Sequence, residues 1–496
     1  MNSVSPINRG AWQRHSLPLL ALLFAFALAF QGARGLFDPD EGRYAIVALR
    51  MLRTGDWLTP TLNHEVIHPT KPPLFYWSLA SSMAIFGRNE WALRLPNALA
   101  FVAAAWLVRR MARHLAPGRE DLATVIQATS LLPFVAANVV TTDTVLAAFE
   151  TLGVAAFVEH WWGRRQDHAA AWLMWLAFGA AFLTKGPPAL LPLLAIFAFT
   201  GWRGGRSSVG SLLRPGPVVG FTAVAFGWFA IEMSRLPGLV DYLVGKEVVG
   251  RMASPEFNRN AGLLHALKTY LPVLLLGAFP GVLTLFRRGK KPAEGARALE
   301  DDRLVFLLLW LLLPLMVFFA ARSRLPLYLL PLAPAASLLL ARRLPADLAA
   351  RPRLRWALGA WALGLVALKA VSPLVETERD GRLLAREIRA VAPAPPQEVL
   401  WVAERPRYTI GVYLDAEIEW LHLGRVPPAY FLEPAYQPRF ESLAQELEDP
   451  EHKPDGPDQL YLVRPADAEA FLAEARGHGV EPRRVGRVRK WEAYWL

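Results

Sequence analysis

The sequence predicts a mainly α-helical, polytopic membrane protein of about 11–13 spanning helices, with a small α/β domain at its C-terminal end. Three observations predict it. Apolar residues arrive in blocks of about 18–22, the length of helix that crosses a bilayer core at a rise of 1.5 Å per residue. The linkers between blocks carry arginine with a regular alternation, which the positive-inside rule turns into a topology. From about Ser372 the chain turns polar, with short apolar runs bounded by charge and proline.

Taken in order, Arg9, Arg14 and His15 precede the first block, 17–30. Ala27-Leu28-Ala29 resembles a signal-peptidase site, but a string of similar blocks follows, so an anchor entering from the cytoplasm is the simpler reading. Residues from Gly35 onward then lie on the far side. Further spans are predicted over 91–111, 122–140, 144–162, 171–183, 187–202, 217–233, 265–286, 304–320, 325–340 and 354–371. Their basic linkers hold Arg109-Arg110, Arg164-Arg165, Arg203 with Arg206, Arg287-Arg288 with Lys290-Lys291, and Arg342-Arg343. All fall on one side if the helices alternate. Leu74–Phe86 is too short to span and follows Pro72-Pro73, so it is predicted as a juxtamembrane or re-entrant helix. A transmembrane domain over 1–371, with a first extracytoplasmic loop at 35–90, thus precedes a soluble extracytoplasmic domain at 372–496. In that domain, strands are predicted at 399–402, 409–413, 418–421 and 460–463, and helices at 376–390, 440–447 and 466–475.

Composition narrows the function. The chain is 53% hydrophobic and 20% charged, short of charge for a soluble enzyme. Its net charge of +11 sits in the linkers, which argues for membrane topology and against nucleic acid. It has no cysteine, which removes disulfides, thiolate metal sites and cysteine nucleophiles. Neither a Walker loop nor a dinucleotide-type glycine pattern is present.

Charge near a bilayer is costly, about 2.5–3.5 kcal/mol per residue at a helix centre on insertion scales, so its placement is informative. Four places concentrate it, all at the predicted extracytoplasmic end: Asp38 to Tyr44, His68 to Pro73, Asp143 after Thr141-Thr142, and Thr184-Lys185-Gly186. Arg251, Arg322 or Arg324, and Tyr328 stand nearby by the same topology. Plainer readings stay open for each. Asp40 and Asp143 are natural helix caps, Lys185 can snorkel to headgroups, and Arg251 suits a surface loop. His64 and His68 have ligand-like spacing but no helix around them, so ordinary loop histidines are expected.

Asp40-Glu41-Gly42-Arg43-Tyr44 with Gly55-Asp56-Trp57, then Lys71-Pro72-Pro73-Leu74, Asn89-Glu90 and Arg94-Leu95-Pro96, resemble the lipid A aminoarabinose transferase and protein O-mannosyltransferase superfamily in order and spacing. Asp143, Thr184-Lys185-Gly186 and Tyr328-Leu329-Leu330-Pro331 continue the likeness to about residue 340. The resemblance implies a GT-C-type helical bundle in the inner membrane of a bacterium, using a sugar linked to a polyprenyl phosphate. It implies Asp40 as the catalytic carboxylate, with Glu41, Arg43 and Asp143 in support. Lys71, Lys185, Arg251 and Tyr328 are implied at the donor phosphate. The resemblance implies lipid A, a protein or a glycan as the acceptor, with membrane lipids around the chain and no nucleic acid partner. Thr70 stands where the aminoarabinose transferases typically carry glutamate, which weakens both an amino sugar and a divalent metal held by that acid. A transporter or flippase of a lipid-linked sugar is the alternative. It calls for polar residues at mid-helix and inverted repeats, neither of which stands out in the sequence.

Overall fold

The computed structural model describes residues 9–64, 66–163, 168–241, 243, 245, 262–286, 301–345, 348, 351–424, 442–448 and 458–496. The first block becomes α1 (Arg9–Leu28). Helix α2 (Asp40–Thr54) opens on Asp40 and Glu41 and closes on Arg53, charges that suit its dipole, and ends at Gly55, whose φ of 72° favours glycine. Helix α3 (Leu74–Phe86) has the predicted short length, entered through Pro73. Next come α4 (Glu90–Leu115), α5 (Glu120–Thr129), α6 (Leu131–Ala137), α7 (Thr142–Trp162), α8 (His168–Lys185), α9 (Leu191–Leu212) and α10 (Pro215–Arg235).

Prolines break two blocks predicted as continuous. The span expected at 122–140 splits into α5 and α6 at Ser130, because the Pro133 ring would meet the Thr129 carbonyl in an unbroken helix. Helices α6 and α7 are bent by 119°. The span expected at 265–286 is α11 (Leu263–Leu276) followed, after Pro280, by a 3₁₀ segment at Gly281–Phe286. Helix α12 (Asp302–Ala320) is capped by Asp301, which accepts from the Arg303 and Leu304 amides. The block expected at 325–340 is a 3₁₀ turn, Pro326–Leu332, leading into α13 (Ala333–Arg342). Last in the apolar region is α14 (Pro352–Val371).

Among the described residues, four helices are long and apolar enough to cross a membrane, or five if the bent pair is one span. One is the Pro352–Leu374 segment, whose apolar window is only 11% buried within the protein, as a lipid-facing helix requires. The protein is a polytopic membrane protein.

Beyond residue 380 lie α15 (Gly381–Val391), β1 (Glu398–Val402), α16 (Thr409–Leu414), β2 (Glu417–Leu421), α17 (Leu443–Glu448), β3 (Gln459–Val463), α18 (Ala468–Gly477), β4 (Arg483–Val488) and β5 (Trp491–Trp495). The strands form one sheet in the order β2-β1-β3-β5-β4. Strand β1 runs parallel to β2 and β3, whereas β5 is antiparallel to β3 and β4. Thr409–Tyr413, expected as a strand, is instead helical. Parallel neighbours such as β1 and β2 need a crossover between them, and this short apolar run supplies it.

The chain divides into two compact units. One holds the described residues of Met1–Gln31, Arg94–Ala225 and Phe257–Ala370; the other holds those of Gly32–Leu93, Phe226–Glu256 and Val371–Leu496. The first loop therefore shares a unit with the C-terminal sheet.

Candidate active site

In the second unit, the helical register of α2 places Asp40 one turn before Arg43, and the two side chains form an ion pair. Asp40 is the more open partner, its side chain 69% exposed. Burial is the strongest single influence on Arg43 and works against its charge, but Asp40 together with Tyr44 and Tyr76 outweighs it and holds the guanidinium above its ordinary pKa. Tyr44 packs edge-on against Phe75 with ring centres 5.3 Å apart and lies 5.9 Å from Tyr76, which fixes α2 against α3. That contact sets the Lys71-Pro72-Pro73 entry to α3.

His68 is buried, and its Nε2 shares a hydrogen bond of 2.9 Å with Thr70 Oγ1. Desolvation, then the charges of Arg43 and Lys71, push its pKa down to about 3, so it is a neutral imidazole at ordinary pH. His68 thus marks a neighbourhood shared by Arg43 and Lys71. Its burial is what the expectation of an ordinary loop histidine missed.

Glu41 belongs to a different network. It is buried, accepts from Arg34 at 2.6 and 3.1 Å, and accepts from the Phe37 amide at 2.8 Å. That arrangement clamps the loop before α2, which makes Glu41 structural in this geometry and separates it from the Asp40 pair.

In the first unit, α7 and α8 pack as a hairpin, which brings the start of α7 beside the end of α8. Asp143 lies in the first turn of α7 and Lys185 in the last turn of α8, each where the helix dipole favours its charge. They form an ion pair, with side chains 8% and 10% exposed. Asp143 also accepts from Thr141 Oγ1 at 2.8 Å. Lys185 Nζ stands 4.7 Å from the centre of the Tyr328 ring, which sits in the 3₁₀ turn Pro326–Leu332. Gly186, with φ of 80°, then turns the chain away from α8. Asn97, just after Arg94-Leu95-Pro96, donates to the Val139 and Thr141 carbonyls at 2.7 and 2.9 Å and so holds the approach to α7.

Sequence reasoning passed over Glu150. It lies seven residues beyond Asp143 on the same helix, within the span, and is 2% exposed. Its Oε2 has no hydrogen-bond partner among the described residues. The signal was available: a lone acid inside an apolar block is costly and marks a candidate functional position. Arg324 is buried and donates to the Gly262 and Phe319 carbonyls at 3.2 and 2.8 Å, which makes it a cap for the end of α12. Arg322 is exposed. Arg251 lies outside the described residues. Among the described residues, no group of three or more His, Asp or Glu side chains is placed to hold a metal ion, and Thr70 adds no carboxylate.

Known proteins place these features in context. A family described as dolichyl-phosphate-mannose-protein mannosyltransferase matches residues 70–231. The undecaprenyl phosphate-alpha-4-amino-4-deoxy-L-arabinose arabinosyl transferase of Yersinia pestis (strain Pestoides F) is 30% identical over 338 residues, 65% of this chain and 58% of the relative. The transferase of the same name from Yersinia enterocolitica serotype O:8 is 30% identical over 337 residues, with the same shares. The match thus spans somewhat more than half the length of these curated relatives. The crystal structure of ArnT from Cupriavidus metallidurans bound to undecaprenyl phosphate is similar with a TM-score of 0.75 and 19% identity, covering 98% of each chain. This likeness shows a GT-C-type fold. The GT-C likeness also holds to the apo form of the same ArnT, with a TM-score of 0.73. At this coverage it takes in the C-terminal sheet, which the motifs alone did not reach.

Proposed function

We propose that the protein transfers a sugar from a polyprenyl-phosphate donor to a cell-envelope acceptor, on the extracytoplasmic side of a bacterial inner membrane. The observation that carries the reading is the first-loop cluster, where an open carboxylate, Asp40, stands beside Arg43 in a neighbourhood shared with Lys71 and neutral His68. The names of the relatives support it, since each is named as an arabinosyl transferase of undecaprenyl phosphate-alpha-4-amino-4-deoxy-L-arabinose.

In this reading an acceptor hydroxyl attacks the anomeric carbon as the bond from that carbon to the phosphate oxygen breaks. The electron pair leaves with the phosphate, and the hydroxyl proton passes to Asp40 as general base. Arg43 orients Asp40 through their ion pair. Lys71 stabilises charge growing on the leaving phosphate, which favours the transition state over the bound donor, and the resemblance alone assigns Lys185 and Arg251 to that phosphate. Tyr328 limits the space open to Lys185 Nζ, and Asp143 fixes its direction. A single displacement inverts the anomeric centre. No step calls for a metal.

The sugar in this reading is neutral or acidic. Arg43 and Lys71 balance Asp40, and Thr70 brings no second carboxylate to receive an ammonium group. Protein and glycan acceptors offer a hydroxyl nucleophile, whereas a phosphate acceptor, as on lipid A, leaves the base less to do and Asp40 then mainly positions the sugar. Mass spectrometry of envelope lipids and proteins from cells with and without the gene tests this. One missing glycosyl mass is expected, and identical spectra would count against transfer.

Glu150 favours a second reading, because buried mid-span carboxylates are common where transporters bind their cargo. In that reading the lipid-linked sugar crosses intact, and no glycosyl mass is lost from the acceptor pool when Asp40 is changed to Asn.

A further inference from the structure

The first loop and the C-terminal fold meet within one unit, and their junction is built on Asp38, two residues ahead of Asp40. Asp38 is 4% exposed. Its carboxylate accepts from the Thr409 amide at 3.3 Å and from the Thr409 hydroxyl. Its own amide donates to the Arg379 carbonyl at 3.0 Å, and the Gly381 amide donates back to the Leu36 carbonyl at 2.9 Å. Phe37 and Asp380 pair there as an antiparallel bridge.

Two glycines allow this approach. A Cβ on Gly42, the third residue of α2, would lie 2.4 Å from Asp38 Oδ1 and 2.7 Å from the Thr409 nitrogen. One on Gly381 would lie 2.1 Å from Thr409 Oγ1. At the other end of α2, Arg50 donates to both Glu417 oxygens at 2.6 and 2.7 Å, and Arg53 pairs with Asp415. The helix that opens on Asp40 is therefore held to the C-terminal fold at both of its ends.

We propose that Thr409 and Asp38 are positioning residues which fix the first turn of α2, so that the C-terminal fold is the mount for the Asp40 carboxylate. The proposal rests on the reading of Asp40 as general base, and it gives this fold a part in the reaction without any contact to substrate. A reacting carboxylate must sit within hydrogen-bond reach of the proton it takes, and small displacements are costly in rate. Asp40 is itself exposed and, among the described residues, paired only within its own turn, so the rigidity it needs comes from the residues just before and after it.

The test uses the full chain in lipid nanodiscs, with an undecaprenyl-phosphate-linked sugar as the probe donor. Thr409→Val removes the hydroxyl donor and keeps the shape. It is expected to lower kcat about tenfold with the donor KM unchanged, and Thr409→Ser to restore kcat. Amide hydrogen exchange across residues 40–44, measured without donor, should speed up in Thr409→Val and return to the wild-type rate in Thr409→Ser. Should Thr409→Val fail to fold, Asp38→Ala gives the same two readouts, with faster exchange and lower kcat expected. Wild-type kcat and wild-type exchange in the folded variant would overturn the mount. Absence of transfer by the wild-type chain, with exchange still responding to Thr409→Val, would instead remove the reading of Asp40 and leave the contact standing.

Discussion

The two charged clusters differ in the way that matters most for chemistry. The Asp40–Arg43 pair is open, with side chains 69% and 41% exposed, whereas the Asp143–Lys185 pair is almost fully enclosed. An open ion pair contributes about 0–1 kcal/mol to stability, so Asp40 can exchange partners at little cost. Breaking an enclosed pair costs about 3–5 kcal/mol, because the remaining charge is left without compensation. The first arrangement suits a group that takes up a proton in each cycle. The second suits a cation fixed in place for a phosphate.

The largest expected effect breaks this comparison at its open end. Asp40→Asn should lower transfer about 10²–10⁴-fold, the range for loss of a general base. Its melting temperature should stay close to that of the wild type, because the pair it disrupts is solvent-exposed. Equal turnover in Asp40→Asn and wild type would remove Asp40 from the chemistry. At the enclosed end the balance reverses. Lys185→Met leaves Asp143 and Glu150 on one helix face without their cation, and should cost about 3–5 kcal/mol of stability as well as activity. Adding Asp143→Asn and Glu150→Gln should recover most of that stability but not the activity. A triple variant as unstable as Lys185→Met would contradict the account of this pair.

The pH dependence of stability sharpens the contrast within the loop. Burial raises Asp38 from 3.8 to about 6. Its contribution is therefore fully present below the unfolded value of 3.8 and is lost as pH rises through about 6. His68 works the other way, since its pKa falls from 6.5 to about 3. Its neutral form stabilises above 6.5, and that stability is lost as pH falls towards 3. The two trends oppose each other in the wild type. Asp38→Asn should leave stability rising with pH across this window, and His68→Gln should leave it falling, each by about 3–5 kcal/mol. Thermal melts over pH 3.5–7 read both slopes, and unchanged slopes in both variants would refute the assignment. Smallest of all, Thr70→Val should cost about 1 kcal/mol, the worth of its one hydrogen bond to His68.

The sequence shows the costly residues well and their partners poorly. Asp40, Lys71, Asp143 and Lys185 are visible because charge beside apolar blocks is rare. The breaks ahead of Pro133 and at Pro280 are local consequences of proline, and they divide runs that a count of apolar residues joins. Glu150 was hidden by its neighbours, since one acid barely changes the character of a long apolar block. Strand β4 escaped notice because arginines at 483, 484 and 487 interrupt the apolar alternation on an edge strand, where charge blunts unwanted pairing. Thr409 lies 371 residues from Asp38, and no local pattern announces a contact of that separation.

The most direct test of the central claim follows the donor itself. Full-length wild type and Asp40→Asn, each in lipid nanodiscs, are given an undecaprenyl-phosphate-linked sugar and an acceptor glycolipid, and both products are measured. The account predicts that wild type releases undecaprenyl phosphate in equal amount to glycosylated acceptor, while Asp40→Asn retains donor binding and releases almost none. Release at the wild-type rate by Asp40→Asn, or donor that crosses the bilayer with its sugar still attached, would contradict it.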